Sequence, residues 1–472
     1  MPPTLPVDSI HAARHALQFG EMAPGDLIAS TLDRIRALNP TLNAYLEIFD
    51  PPERAANLDG PLGGIPIAIK DLIDVAGRRT TAGSPFLLDN VAVEDATVVQ
   101  KLRASGAVLT GKTHLHEWAH GTTNDNPHFG PCRNPWDVER VSGGSSGGSA
   151  VAVAAGLCLG ALGTDTGGSI RIPSSLCGVV GLKPTRGRVS LRGVVPLSWT
   201  LDHVGPMART VRDAAILLQS IAGHDPEDPT SIDRPVPDYA GSLDGEAGLR
   251  GVRIGVPEAF FFEEAEPEVI EAVRAAIDVL RGLGGTIVEV DLREAAEMAK
   301  ATGVILLADA AAFHQQRFES QPERFGADVL DRLKAGRAFT ATDYASAQHA
   351  QRQWKNRLSK VFASLDVLAT PTTPIAAPRI GEPDAGARLP RFTRPFNLAG
   401  TPAICVPCGL VSERRLPIGM QLVAQWWDEV TLLRVAHAYE QATEWHTLEP
   451  SRQLRFVTPP GRSDAHYDER DE

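Results

Sequence analysis

Cysteine is scarce: five residues are scattered over 472 positions, an odd number without framework spacing. That excludes a small disulfide-stapled fold and suits a reducing compartment, so a cytoplasmic location is expected. No long hydrophobic run is present. The longest near-apolar stretch, 150–163, is glycine-rich and about 14 residues long, against the ~20 that a membrane-spanning helix needs. The opening MPPTLPVDSI carries neither the basic nor the apolar region of a secretory leader. Positive charge is not in excess either. Against 58 acidic residues stand 46 basic ones, for a net charge of −12. That is the wrong sign for a chain that grips nucleic acid or an anionic membrane through phosphate charge. Internal repeats are lacking. With 43% hydrophobic and 22% charged residues the chain can build a large core, which excludes disorder, collagen and coiled coil as the main architecture.

Glycine is what the chain has in excess. Of 43 glycines, 14 fall between Ser142 and Gly205, interleaved with the apolar runs 150–162 and 179–182. Glycine inside a core-like context marks places where backbone must approach something closely. Elsewhere the pattern alternates. A helix is expected over 26–38, stopped by Asn39-Pro40; strands over 64–70 and 107–111 flank a helix over 97–105. After a polar connection at 225–251, a second β-α-β unit follows in 252–256, 267–283 and 286–290. Residues 376–395 read as a mobile or irregular loop, 403–406 and 419–423 as strands, and 464–472 as a frayed charged tail. The alternation predicts an α/β protein with a largely parallel sheet.

Four motifs compete for the chemistry. His116-Glu-Trp-Ala-His120 matches H-E-x-x-H; on a helix its histidines would share one face and could hold zinc, with Glu117 as base. Thr123 stands where the longer metzincin pattern needs glycine, and Gly121-Thr122 break the helix early, so a helix end with polar histidines is favoured. Cys405-Val-Pro-Cys408 lacks a second pair to complete a four-ligand site, and small buried cysteines ending a strand account for it better. Gly143-Gly-Ser145-Ser-Gly147 fits G-x-S-x-G, but an α/β-hydrolase elbow needs a strand directly before it, and 134–142 is a poor strand. The fourth is a constellation: Lys70 after an apolar run, the Ser145 loop, and Asp165-Thr-Gly-Gly-Ser169. Hydrolysing an amide needs a nucleophile, a base and donors for the developing oxyanion. Ser169 after a Gly-Gly turn offers an exposed hydroxyl. The N–H groups of Thr166, Gly167, Gly168 and Ser169 could converge on one oxygen, because glycine leaves no side chain in the way.

The segments Gly143-Gly-Ser-Ser-Gly-Gly-Ser-Ala150, Gly163-Thr-Asp-Thr-Gly-Gly-Ser-Ile-Arg-Ile-Pro173 and Cys177-Gly-Val-Val-Gly-Leu-Lys-Pro-Thr185 resemble the amidase signature family. The resemblance is densest over 61–214 and continues in Phe396-Asn-Leu-Ala-Gly-Thr-Pro402 and Pro417-Ile-Gly-Met-Gln421. It implies a large central mixed, mostly parallel β-sheet flanked by helices on both faces. It also implies a single domain over 1–472, with a signature core at about 61–214 and a variable substrate-side region at about 225–395. It implies a Ser-cisSer-Lys set: Ser169 as nucleophile, Ser145 as bridging serine after a cis peptide, and Lys70 as base. Lys70 must be neutral to act, and the apolar run 65–69 suits the necessary desolvation. No metal or cofactor is implied.

Two positions bear on the substrate. Ile172 stands three residues after Ser169, where amidotransferase A subunits often carry glutamine and malonamidase-like members arginine. Its apolar side chain disfavours both a charged malonamate and a tRNA-linked role. By resemblance His120, Gly121 and Thr122 contact substrate, with Ile172 beside them, and Arg171 is expected to pair with an acid such as Asp202. The resulting expectation is a hydrolase of linear amides for a neutral, fairly apolar aryl or alkyl carboxamide. Anilides, esters and carbamates remain open as further substrates. Its partners are the small-molecule amide and water, with no nucleic acid and no membrane, and a homodimer is left open. The rival within the family is a glutaminase-type A subunit of a tRNA-dependent amidotransferase. Outside it stand a Ser-His-Asp hydrolase, a zinc protease and a catalytically silent scaffold.

Overall fold

The computed structural model describes residues 5–50, 55, 57–245, 248–413 and 415–450; the expected charged tail lies outside them. One sheet of 11 strands runs through the molecule. Its first half is ordered Tyr45–Ile48, Val108–Thr113, Pro66–Lys70, Gly160–Thr164, Val204–Ala208, Val180–Lys183. The second half continues Ala403–Val411, Leu416–Ala424, Val367–Pro371, Arg253–Val256, Thr286–Glu289.

The α/β class and the mixed sheet are as expected, but parallel pairing does not dominate. Four neighbouring pairs are parallel, all toward the two ends. The six others are antiparallel and include the whole centre. Part of the reason is local: 403–411 and 416–424 are joined by a short turn, and a short connection between neighbouring strands forces them antiparallel.

Helices cover both faces, because successive side chains of a strand point to opposite sides. Ile67 and Ile69 join one buried cluster with residues of helices Thr97–Ala104 and Val211–Ile221. Ala68 joins the other, with helix Gly147–Ala154. Lys70 shares the parity of Ala68, which directs it to the side of that helix.

Helix Gly147–Ala154 is buried along its entire length, and its small residues allow it to press on the sheet. A Cβ on Gly148 would fall 2.4 Å from His114 N and 2.5 Å from Ala44 O, both backbone atoms that cannot swing away. Ser149 donates to Leu162 O at 3.0 Å, and its hydroxyl lies 2.8 Å from Thr113 Oγ1. The loop bearing Ser145 is therefore held at a fixed height above the strand ends.

Two expectations about connections are corrected. The early helix spans Pro24–Leu42 and runs through Pro40, ending at Asn43 in the left-handed region (φ 52°). Pro40 gives up its own hydrogen bond and crowds the carbonyl four residues earlier, a cost offset by the burial of Leu38 and Leu42 on the core face. Residues 376–395 are no loose loop. Ala376, Ala377, Leu389 and Phe392 are buried, and Ile380 N donates to Glu139 O at 3.0 Å.

Because the neighbours of Gly148 are backbone, Gly148→Ala is expected to destabilise the fold by roughly 1–3 kcal/mol. Urea unfolding of the variant against the parent measures this, and an unchanged midpoint would contradict the packing described.

Candidate active site

Strands Pro66–Lys70 and Gly160–Thr164 are parallel neighbours, so their carboxyl ends lie together, the usual place for a site in such sheets. Lys70 closes the first and Thr164 the second. Lys70 is fully buried, and its Nζ donates to Ser145 Oγ at 2.7 Å, Ser146 Oγ at 2.9 Å and Thr164 Oγ1 at 2.7 Å. The amine thus rests on three hydroxyls, with no carboxylate in bonding reach among the described residues. Burial pushes its pKa well below the ordinary lysine value; Asp202 and Asp165 pull back from farther away without prevailing. A neutral amine keeps a lone pair, so one of its hydroxyl partners can donate to it.

Ser145 follows a cis Gly144–Ser145 peptide. Its carbonyl accepts from His116 N at 3.2 Å, and Gly144 N donates to Thr122 O at 2.7 Å. Ser146 Oγ accepts from Thr164 N and donates to Thr164 O, both at 3.1 Å, which locks this loop to the adjoining strand.

The second loop winds around Asp165. This fully buried carboxylate accepts from Gly168 N (2.9 Å), Ile170 N (3.2 Å), Asn397 Nδ2 (2.7 Å) and the Arg171 guanidinium (2.9 and 3.0 Å). Burial opposes its charge, but the guanidinium and the amide donors hold it well below the usual carboxylate range. Gly168 sits at φ 129°, and a Cβ there would fall 2.2 Å from Thr393 Oγ1, so only glycine fits. Ser146 N donates to Ser169 O at 3.2 Å, tying the two loops together. The Ser169 hydroxyl takes no protein partner among the described residues.

This geometry revises the expected donor set. Gly168 N–H is committed to Asp165, which removes it. The N–H groups of Thr166, Gly167 and Ser169 have no acceptor among the described residues and stay available.

A family model described as Amidase matches residues 26–433. The A subunit of the glutamyl-tRNA(Gln) amidotransferase of Roseiflexus sp. (strain RS-1) is 43% identical, over 93% of this chain and 97% of that one. Among solved structures, the corresponding A subunit from Thermotoga maritima superposes with a TM-score of 0.82 at 37% identity, covering 92% of this chain and 94% of that one. A chain from a vestigial protein complex bearing on the origins of an s-triazine catabolic enzyme reaches a TM-score of 0.86 at 34% identity, covering 92% and 98%. This chain belongs to the amidase family.

Membership makes it a hydrolase-family protein acting on carbon–nitrogen bonds, and the names of its relatives overturn the expected substrate. Relatives across nearly the whole length carry the amidotransferase name, against a stand-alone amidase for neutral, apolar carboxamides. That name, of a subunit acting with tRNA, also runs against the expectation of no nucleic-acid partner. The error traces to Ile172. Its side chain is fully buried, clustered with Val141, Leu176, Ile375 and Leu389. No helix among the described residues is long and apolar enough to cross a membrane.

Residues 120–122 lie against the Gly144–Ser145 loop, but differently from one another. Thr122 turns its hydroxyl to Gly386 O at 2.9 Å. Space beyond Gly121 is filled by the His116 ring, 2.2 Å from a Cβ placed there. The buried His120 ring has no partner on either nitrogen, and burial followed by nearby Arg332 drives its pKa well below the ordinary value.

The competing motifs resolve locally. His116-Glu-Trp-Ala-His120 is no α-helix: Glu117–Ala119 form one tight turn with Trp118 and Ala119 at φ 54° and 57°. Glu117 is occupied by Ser84 Oγ, Gly326 N and His128, and His116 by Asp328 at 2.9 Å. Cys405 and Cys408 are buried in strand 403–411 and unpaired, with burial pushing the Cys405 thiol up to about 12. A strand does precede the Ser145 loop, Asp137–Val141, but it belongs to a separate two-stranded ribbon. Arg171 pairs with Asp165 rather than Asp202. Asp202 instead accepts from Thr166 Oγ1 and from the N–H groups of Leu197 and Ser198, while burial lifts it to about 6.

Sequence reading missed Ser146 and Thr164 as lysine partners. A hydroxyl ending the strand parallel to the lysine strand was the available signal for Thr164. A fluorophosphonate probe is expected to label Ser169, with labelling abolished in Ser169→Ala and reduced about 10²–10⁴-fold in rate in Lys70→Ala. Tryptic mass spectrometry locates the adduct; modification at Ser145 alone would refute the assignment.

Proposed function

We propose that this chain is the A-type component of a glutamyl-tRNA(Gln) amidotransferase, releasing ammonia from glutamine through an acyl-serine intermediate. What supports the chemistry is the buried Lys70 amine resting on Ser145 without a carboxylate partner. The shared name of relatives over nearly the whole chain supports the assembly.

In this reading Ser169 Oγ attacks the amide carbon. Its proton passes to Ser145, whose own proton goes to Lys70. The oxyanion is received by the N–H groups left open at Thr166, Gly167 and Ser169. Collapse breaks the C–N bond as Ser145 hands a proton to the departing nitrogen and regains one from Lys70, so ammonia leaves neutral. Water then attacks the acyl-serine along the same relay and restores Ser169. Ser146, whose own proton goes to Thr164 O, accepts from the lysine in both charge states, and the Thr164 hydroxyl can accept from an ammonium or donate to an amine. The net charge of −12 leaves the grip on tRNA phosphates to partner subunits.

Two outcomes follow. Ammonia release from glutamine should depend on Ser169 and rise when the partner subunits of the same organism are added. A coupled glutamate dehydrogenase assay reads it, and no release under either condition would dispose of the proposal. The acidic limb of kcat/KM against pH should report Lys70. A base whose folded pKa is depressed becomes active below the ordinary ~10.4, so the rate climbs with pH through a midpoint well under that value. Lys70→Arg, charged throughout, should lose about 10²–10⁴-fold at every pH.

A further inference from the structure

Arg394 opens the short helix Arg394–Ala399, and its guanidinium makes no hydrogen bond and no ion pair among the described residues. Its Nε is wholly buried without an acceptor, while the residue as a whole is partly exposed. The other arginines nearby are neutralised. Arg171 has Asp165, Arg391 has Glu264 at 2.9 Å and Arg332 has Asp328 at 2.7 Å. Arg394 has no such partner. The charge that chiefly acts on it is another cation, Arg332, and burial together with that repulsion pushes it down to about 10.

The position of this cation is firmly set. Thr393, its neighbour, donates to Gly167 O at 2.6 Å, and Arg394 O accepts from Thr302 Oγ1 at 3.0 Å. A Cβ on Gly167 would lie 3.7 Å from Arg394 Cγ and 3.6 Å from Leu306 Cδ1. The stem therefore runs along the loop two residues before Ser169. A partly buried guanidinium without a counter-charge is destabilising, and a fold that keeps one beside its nucleophile loop is suited to an anion that arrives with the substrate. His120 and His314, whose ring nitrogens find no hydrogen-bond partner among the described residues, are held neutral by burial and cannot supply or balance that charge.

We propose that Arg394 is the specificity residue of the acyl side, receiving a carboxylate carried by the acyl part of the amide. The preferred substrates are then amides of amino-dicarboxylic or dicarboxylic acids rather than uncharged amides. This rests on the amide-hydrolysing role above and deepens it: glutamine carries such a carboxylate, and its planar oxygens match the guanidinium fork.

The test uses glutaramate and its uncharged counterpart pentanamide, titrated calorimetrically into the Ser169→Ala protein so that binding is read without turnover. Glutaramate should bind at least about tenfold more tightly than pentanamide. Arg394→Met, which keeps the stem, should erase that difference while leaving pentanamide unchanged, and Arg394→Lys should restore part of it. With Ser169 intact, Arg394→Met should raise KM for glutaramate about 10–100-fold at similar kcat. An unaltered ratio in Arg394→Met, equal weakening of both ligands, or no glutaramate binding at millimolar concentration would overturn the proposal. Failure of the hydrolase reading looks different: no amide is turned over in a Ser169-dependent manner, yet the binding ratio still reports on Arg394.

Discussion

Asp165 and Arg171 are two opposite charges with no exposure to water, and much of the molecule is arranged to make that tolerable. A buried pair is stable only when the remaining lone pairs and protons are also satisfied. Asp165 is met by backbone donors of its own loop and by Asn397; Arg171 reaches Asn397, Gln421 and Thr393 O. Satisfying the carboxylate is what curls residues 165–171 into a tight loop. Gly168 gives up its N–H to that purpose, and Ser169 is left at the crest.

Lys70 illustrates the opposite choice. Two other fully buried lysines are given oxygen-rich surroundings that favour structure. Lys112 has Asp71 at 3.1 Å and two backbone carbonyls, and Lys183 bonds to the carbonyls of Thr401 and Pro184. Lys70 receives hydroxyls only. Hydroxyls solvate the amine without fixing a permanent positive charge, and burial holds its pKa well below the ordinary lysine value. Similar burial thus comes with three different surroundings: a carboxylate and carbonyls at Lys112, carbonyls at Lys183 and hydroxyls at Lys70.

Much of this could be read in the chain. The two glycine-serine loops, Lys70 after an apolar run and the α/β alternation all lie in contiguous segments whose chemistry is local. What escaped reading depends on distant partners. The antiparallel centre of the sheet follows from connections between strands more than from strand composition. Arg171 was matched to Asp202, although Asp165 stands only six residues away, because direction around a tight loop cannot be inferred from spacing. Ile172 was read against a tRNA-linked role because amidotransferase A subunits often carry glutamine there, yet relatives over nearly the whole chain bear that name, and helix Arg171–Cys177 buries the side chain. The H-E-x-x-H match failed for the converse reason: the pattern is present, but Trp118 and Ala119 at positive φ leave no helix to align it.

The Arg171–Gln421 bond joins residues 250 positions apart, and Arg171–Asn397 spans 226. The loop carrying Ser169 is synthesised long before the strand and helix that complete its polar surroundings. Until Leu416–Ala424 pairs into the sheet, the Arg171 guanidinium lacks its glutamine and the loop lacks an anchor. High sequence separation of this kind makes assembly slow and late. A chain that ends before residue 397 carries the Ser169 loop without the Asn397 and Gln421 partners that complete the polar surroundings of Arg171.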